Sequence, residues 1–244
     1  NSLMVTAKDH YENHLSELYG WMSGDFTERV NQTLSYFIKN NIKPSSTHFA
    51  IDLGSGHGIQ SAALAELGFN VTAVDQSEKL LNELKQNTAN KVKTVNGDIT
   101  DYGYPGEIKP ELIICMGDTL THLNSSSDVN RLIRIAAENL AEYGKLVLSF
   151  RDLTGELKGI SRFIPVKSDE HRILTCLLEY EDKKVTMNDI LHEYRTGKWE
   201  MKISSYQKLR LSLNEVTEML LSAGLKLNHT EKIGGMDHLT AQKN

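Results

Sequence analysis

Apolar side chains recur at helical spacing through the N-terminal stretch from about residue 9 to 41: Leu15, Leu18, Tyr19 and Met22, then Phe26, Val30, Leu34, Phe37 and Ile38. Side chains three and four positions apart share a helix face, so two helices are predicted here, the second capped by Asp25 or Thr27. From His48 to Arg151 the texture changes to short apolar runs alternating with helical repeats. Strands are expected at 48–53, 70–75, 91–95, 111–116 and 145–150, and helices at 57–68, 77–88 and 127–141. Runs such as Leu112-Ile113-Ile114-Cys115-Met116 lack polar alternation, which indicates a parallel sheet buried on both faces. The middle of the chain is therefore read as a doubly wound α/β core.

After Arg151, apolar and polar residues alternate at 171–180, 184–195 and 198–209, divided by Glu181-Asp182-Lys183 and Thr196-Gly197-Lys198. Such a period of two with short breaks predicts an antiparallel meander inserted into the α/β order. Ser212-Leu213-Asn214-Glu215 then opens a helix that stops at Gly224, and strands near 225–232 and 237–242 close around Gly234-Gly235 as a terminal hairpin. One strand of that hairpin must run antiparallel to the rest of the sheet. The expected division is a helical lid at 4–41 and an α/β domain at 42–244 carrying the meander at about 160–210. Asn1-Ser2-Leu3 before Met4 is read as an expression scar and kept out of the fold argument.

Composition narrows the partners. A chain of 244 residues can bury about three quarters of its unfolded surface, enough for a full-sized core. No apolar run approaches the roughly 20 residues that cross a bilayer, so no membrane role is expected. Lys and Arg total 27 against 32 Asp and Glu, a net charge of −5, which provides no basic field for nucleic acid. Cys115 and Cys176 sit in apolar strand-like runs without short spacing and read as reduced core thiols, with a cytoplasmic location as the default. His10 and His14 stand four apart, but no third ligand accompanies them, so no metal is expected. Lys198, Lys202, Lys208 and Arg210 are interleaved along strands and read as solvated faces.

The chemistry-bearing segment is Ala50-Ile51-Asp52-Leu53-Gly54-Ser55-Gly56-His57-Gly58-Ile59, an apolar strand running through a glycine turn into a helix. Glycines permit backbone torsions and close approach that other residues resist, and the helix start presents unpaired N–H groups. The spacing is G-x-G-x-G, not the G-x-G-x-x-G that seats a pyrophosphate. Asp75, about twenty residues on at the end of the next predicted strand, suits the two hydroxyls of a ribose. An adenosyl ligand without a diphosphate fits both features.

Four segments in order resemble the class I S-adenosylmethionine-dependent methyltransferases: Ile51 to Gly58, Val74-Asp75-Gln76-Ser77, Asn96-Gly97-Asp98-Ile99, and Ile113 to Asp118. The resemblance implies a Rossmann-like doubly wound sheet of seven strands with the last antiparallel, matching the inferred hairpin, and S-adenosyl-L-methionine as cofactor. It implies that Gly54, Ser55, Gly56 and Gly58 meet the methionine part, Asp75 and Gln76 the ribose and adenine, Asp98 and Ile99 the adenine, and that Met116 and Gly117 line the cofactor. More narrowly, Cys115 to Leu123 and Ser149-Phe150-Arg151-Asp152 resemble glycine N-methyltransferase-type small-molecule enzymes. That likeness implies that Tyr11, Tyr19 and Trp21 cover the cofactor and that Arg151 holds a substrate carboxylate; Asp118 and His122, past the end of the fourth strand where the crevice of such sheets opens, are read as substrate contacts against the alternatives of a helix cap or a surface residue. The expected activity is methyl transfer to N or O of a small, anionic molecule, with no assigned catalytic base. The competing classes are a protein or nucleic-acid methyltransferase, which lacks an Asn-Pro-Pro-aromatic motif here, and an inactive cofactor-binding protein or oxidoreductase on a related fold.

Overall fold

The computed structural model describes residues 16–244, without the side chains of Ser16, Glu17 and Tyr19. Two helices come first, α1 (Ser16–Ser23) and α2 (Phe26–Lys39). Asp25 caps α2, its carboxylate accepting from Glu28 N at 2.8 Å. The α2 face buries Val30, Tyr36 and Phe37, whereas Ile38, expected on that face, points to solvent.

The core alternates β1 (Phe49–Leu53), α3 (Ile59–Glu66), β2 (Asn70–Asp75), α4 (Glu78–Asn87), β3 (Lys93–Asn96), β4 (Leu112–Cys115), α5 (Ser126–Asn139) and β5 (Lys145–Phe150). A second sheet follows: β6 (Phe163–Ser168), β7 (Arg172–Tyr180), β8 (Lys184–Arg195) and β9 (Lys198–Leu209). The chain closes with α6 (Leu213–Ser222), β10 (Leu225–Ile233) and β11 (Met236–Lys243). Gly224, at φ +80°, follows the α6 cap as the expected left-handed stop.

The main sheet has seven strands in the order β10-β11-β5-β4-β1-β2-β3, parallel except for β11, which is antiparallel to both β5 and β10. Alternate residues of each central strand face opposite layers, which is why those strands are apolar throughout. Ile51, Leu53, Ile113, Cys115 and Leu148 pack against α5 and α6, and Ala50, Ala73, Leu112 and Ile114 against α2, α3 and α4. Strand order reverses between the parallel neighbours β1 and β4, and their carboxyl ends open the crevice in which such sheets bind ligands.

The second sheet, order β6-β7-β8-β9, is the inserted meander, with one strand more than the alternation predicts. The additional strand β6 holds Pro165 and a register shift beside it, so it lacks the clean period of two and occupies an edge. Cys115 and Cys176 are both buried and unbridged. Among the described residues no helix is long and apolar enough to cross a membrane.

Candidate active site

The glycine turn between β1 and α3 is held by the end of β2. Gly54, Gly56 and Gly58 have φ of +76°, +53° and +99°. Such left-handed torsions strain any residue with a Cβ. Asp75 sits opposite: one carboxylate oxygen accepts from Gly56 N at 2.8 Å, the other from Ser77 N at 2.9 Å. Burial pushes the Asp75 carboxyl up, and the N–H groups of Ser77, Gly56 and Gln76 oppose that.

Gly54 is required for a different reason than ligand approach. A Cβ at this position would overlap Thr119 Cγ2 and stand 2.7 Å from Thr119 Oγ1. Gly54→Ala therefore combines a strained torsion with a collision and should cost at least about 2 kcal/mol. Urea unfolding measures the loss, and adding Thr119→Ala should restore the part due to overlap; equal midpoints for Gly54→Ala and wild type would show that the turn yields freely. Gly58 faces away from the crevice, because its Cβ would lie 2.6 Å from Leu84 Cγ. It permits packing of α3 on α4 and is not among the residues that line the cavity.

Beneath the turn, Asp52 is buried and accepts from Ser61 Oγ at 2.6 Å. Burial raises its carboxyl to about 7, Ser61 works against that, and Asp75 adds to it. The folded chain thus keeps a proton that the unfolded chain releases near pH 3.9, so this group erodes stability as pH rises from about 4 to about 7. Asp52→Asn should match wild type in urea midpoint at pH 4 and exceed it at pH 8. A difference that does not change with pH would contradict a protonated Asp52.

A cavity of about 560 Å³ opens beyond the strand ends, within the range of small-molecule sites. It is lined by Gly54, Ser55, Gly56, Asp75, Gln76, Asp98, Ile99, Met116 and Gly117, nine of the expected cofactor residues, and by His122. Ser55 Oγ is buried there with no partner among the described residues. Asp98 lines the cavity while forming an Asx turn, its Oδ1 accepting from Thr100 N and Oγ1, each at 2.8 Å.

Several expected residues lie elsewhere. Tyr11 is outside the described residues, as are His10 and His14, and the Tyr19 side chain is not described. Trp21 does not line the cavity: its ring is engaged by the meander, with the Arg172 guanidinium 4.8 Å and the Lys167 ammonium 5.5 Å from the ring centroid. Its neighbours Met22 and Ser23 line the cavity instead. Arg151 is exposed, with Nη1 beside Gly235 in the β10–β11 turn, and is not among the residues that line the cavity.

Asp118 is buried outside the cavity lining, with both oxygens occupied. Oδ1 accepts from Arg151 N at 2.9 Å and Oδ2 from Lys208 Nζ at 2.5 Å. Burial acts to raise this carboxyl, but Lys208, His122 and the Arg151 N–H reverse the effect and hold it below the ordinary value. Lys208, expected on a solvated face, has a side chain only 11% exposed, and Arg210 is equally covered and paired with Glu156 at 2.9 Å. Tyr206, two residues before Lys208 on β9, stacks on His122 with centroids 5.6 Å apart and planes at 14°. The meander thus backs His122, which lines the cavity.

Sequence reasoning missed cavity residues from outside the motifs, Ser23 and Arg29 among them. Arg29 extends from α2, and Ser23 Oγ lies 3.2 Å from His57 Nε2, tying the end of α1 to the glycine turn. Burial lowers the His57 imidazole to about 4, so it is neutral near pH 7. Only the polar positions on otherwise apolar α1 and α2 faces could have signalled Ser23 and Arg29.

Sheet order, glycine turn and the acidic end of β2 together match the architecture of class I S-adenosylmethionine-dependent methyltransferases, and residues 50–144 match the family described as a methyltransferase domain. Among curated proteins the chain is 28% identical over 163 residues to the glycine/sarcosine N-methyltransferase of Aphanothece halophytica, a match covering 62% of this chain and 59% of that protein. Further relatives are matched over 57%, 48% and 50% of their lengths, so the chain spans about half the length of the curated relatives it matches. Among solved structures, the CcbJ methyltransferase of Streptomyces caelestis has a TM-score of 0.80 at 18% identity, covering 97% of this chain and 98% of that one. The SAM-bound amino pentose methyltransferase CalS10 of Micromonospora echinaspora has a TM-score of 0.77 at 12% identity, covering 95% and 97%. These two likenesses show the fold.

Proposed function

We propose that the chain transfers a methyl group from S-adenosyl-L-methionine to a nitrogen or oxygen of a small molecule, with a small amine as the favoured acceptor. The observation that carries this reading is the Asp75 carboxylate fixed by Gly56 N and Ser77 N on the wall of a cavity that, among the described residues, has no cluster of cationic side chains to receive phosphates. Asp75 would hold the donor's ribose hydroxyls, Asp98 and Ile99 its adenine, and Gly54, Ser55 and Gly56 its methionine part. Ser55 Oγ, buried and unpartnered among the described residues, supplies one more polar contact. When bound, the sulfonium supplies an electrophilic methyl group whose departure needs no acid.

The chain's own contribution is orientation and exclusion of water, effects that can lower a barrier by roughly 7 to 11 kcal/mol when geometry is right. Met22 and Ser23 of α1 and Arg29 of α2 close one side of the cavity, so the N-terminal helices act as its lid. His122, held by the Tyr206 ring, forms the acceptor side with Leu123 and Asn124. Arg29 brings a guanidinium to the lining, so a carboxylate on the acceptor meets Arg29 and not Arg151. The names of the relatives, glycine/sarcosine and amino pentose enzymes, support a small nitrogen acceptor.

Incubating the protein with donor carrying a labelled methyl group and pools of amino acids, amino sugars and other small amines tests the proposal. The expected product is a labelled small molecule. Label found only on protein or nucleic acid, or donor binding without transfer to any pool, would overturn it.

A further inference from the structure

The meander has two unlike faces, and only one is used by the other described residues. Side chains opposite one another in an antiparallel ladder share a face, so the register sorts them directly. Tyr206 and Lys208 of β9 lie on the inner face, with Leu174 of β7 and Leu191 of β8, which pack against Leu18, Trp21 and Met22. The outer face carries Phe163, Ile173, Tyr194, Trp199, Met201 and Ile203, each between 43% and 60% exposed. No described element covers it.

The geometry points to this outer face as the interface between two copies of the chain, packed sheet against sheet. Charge and size select that occupant. Along the ladder from Trp199 to Ile203, the outward residues and their partners Tyr194, His192 and Ile190 include no Asp, Glu, Lys or Arg. The charges nearest this ladder sit on the inner face, where Glu193 pairs with Arg195 at 2.9 Å and Lys202 at 3.0 Å, while Glu179 and Lys184 lie toward the far end of the outer face. A surface without formal charge offers no complement to a charged partner but is complementary to itself, as a two-fold interface requires.

Four strands at ~4.8 Å spacing, with lengths of about ten residues, give a face on the order of 600 Å² in projection. That approaches the ~800 Å² that each partner contributes to a stable interface of standard size. Facing sheets pack ~10 Å apart, which lets Trp199, Met201 and Ile203 interdigitate with a second copy. Since the reverse side of β9 holds Tyr206 and Lys208, the interface braces the cavity wall without touching it.

Sedimentation velocity of the full chain at about 50 μM is the test, compared with Met201→Glu and with Ile203→Thr, which keeps a residue suited to strands. Leu221→Lys, an exposed apolar position on α6 away from the meander, serves as control. The wild type and the control should sediment at twice the 27.4 kDa chain mass. Met201→Glu should raise the dimer dissociation constant at least 100-fold and Ile203→Thr about tenfold, with circular dichroism unchanged. A monomeric wild type, or a dimer that survives both substitutions, would overturn the assignment.

Discussion

Asp75→Ala is expected to weaken binding of S-adenosylmethionine more than tenfold, on the order of 1.4 kcal/mol or above, for two reasons that reinforce each other. The first is loss of a carboxylate that would accept from ribose hydroxyls at the end of β2. The second is release of Gly56 N and Ser77 N, which the same carboxylate holds at 2.8 and 2.9 Å. Gly56 lies in the left-handed turn, so freeing its N–H loosens the surface on which the methionine part would rest. Asp75→Asn retains an acceptor oxygen but loses the charge, and should fall between the two. Titration calorimetry with circular dichroism as a fold check measures this; unchanged affinity in a folded Asp75→Ala variant would remove Asp75 from the site.

Lys208→Met is expected to produce the largest loss of stability. It strands the Asp118 carboxylate, which is 7% exposed as a side chain and is otherwise held by Arg151 N. Breaking a buried pair from one side costs roughly 3 to 5 kcal/mol, more than the pair contributes in excess of apolar replacements. Asp118 also stands at φ +75° directly after Gly117 at +74°, so the pair fastens a strained turn from which Thr119 and His122 project. The pH dependence has a definite sign. Asp118 titrates below its ordinary value in the folded chain, so its pair contributes fully above the unfolded carboxyl value near 3.9 and is lost as pH falls through the lower folded value. The defect of Lys208→Met should therefore be largest near pH 7 and shrink toward pH 3. The double variant Lys208→Met with Asp118→Asn should recover part of the loss in thermal unfolding; a single variant within 1 °C of wild type would show that the pair bears no strain.

The sequence patterns that proved readable are those set by local physics. Continuous apolar runs at β1, β4 and β5 announce strands buried on both faces, and the bend from Leu53 through Gly58 announces a turn few residues other than glycine can make. Asp75 is legible because it ends a strand at a fixed interval from that turn. What escaped notice depends on contacts between segments far apart in the chain. Lys208 looks like a surface lysine on an amphipathic strand, and only the fold brings it to Asp118, ninety positions away. Trp21 has the composition of a lid residue, yet Arg172 and Lys167 from the meander draw its ring aside and leave Met22 at the cavity. Gly58 shares a motif with Gly54 but answers to Leu84, and Gly54 itself answers to Thr119. Arg151 follows β5 as a substrate anchor would, while the guanidinium at the cavity belongs to Arg29 of α2.

The most direct measurement is calorimetric titration of the full chain with S-adenosylmethionine, with its demethylated product, and with NAD. Asp75, the glycine turn and a cavity without a cationic cluster for phosphates should give saturable binding of the two sulfur nucleosides at one site per chain and no heat with NAD. Saturable NAD binding that the demethylated product displaces, or no binding of either sulfur nucleoside, would contradict an adenosyl site of this kind.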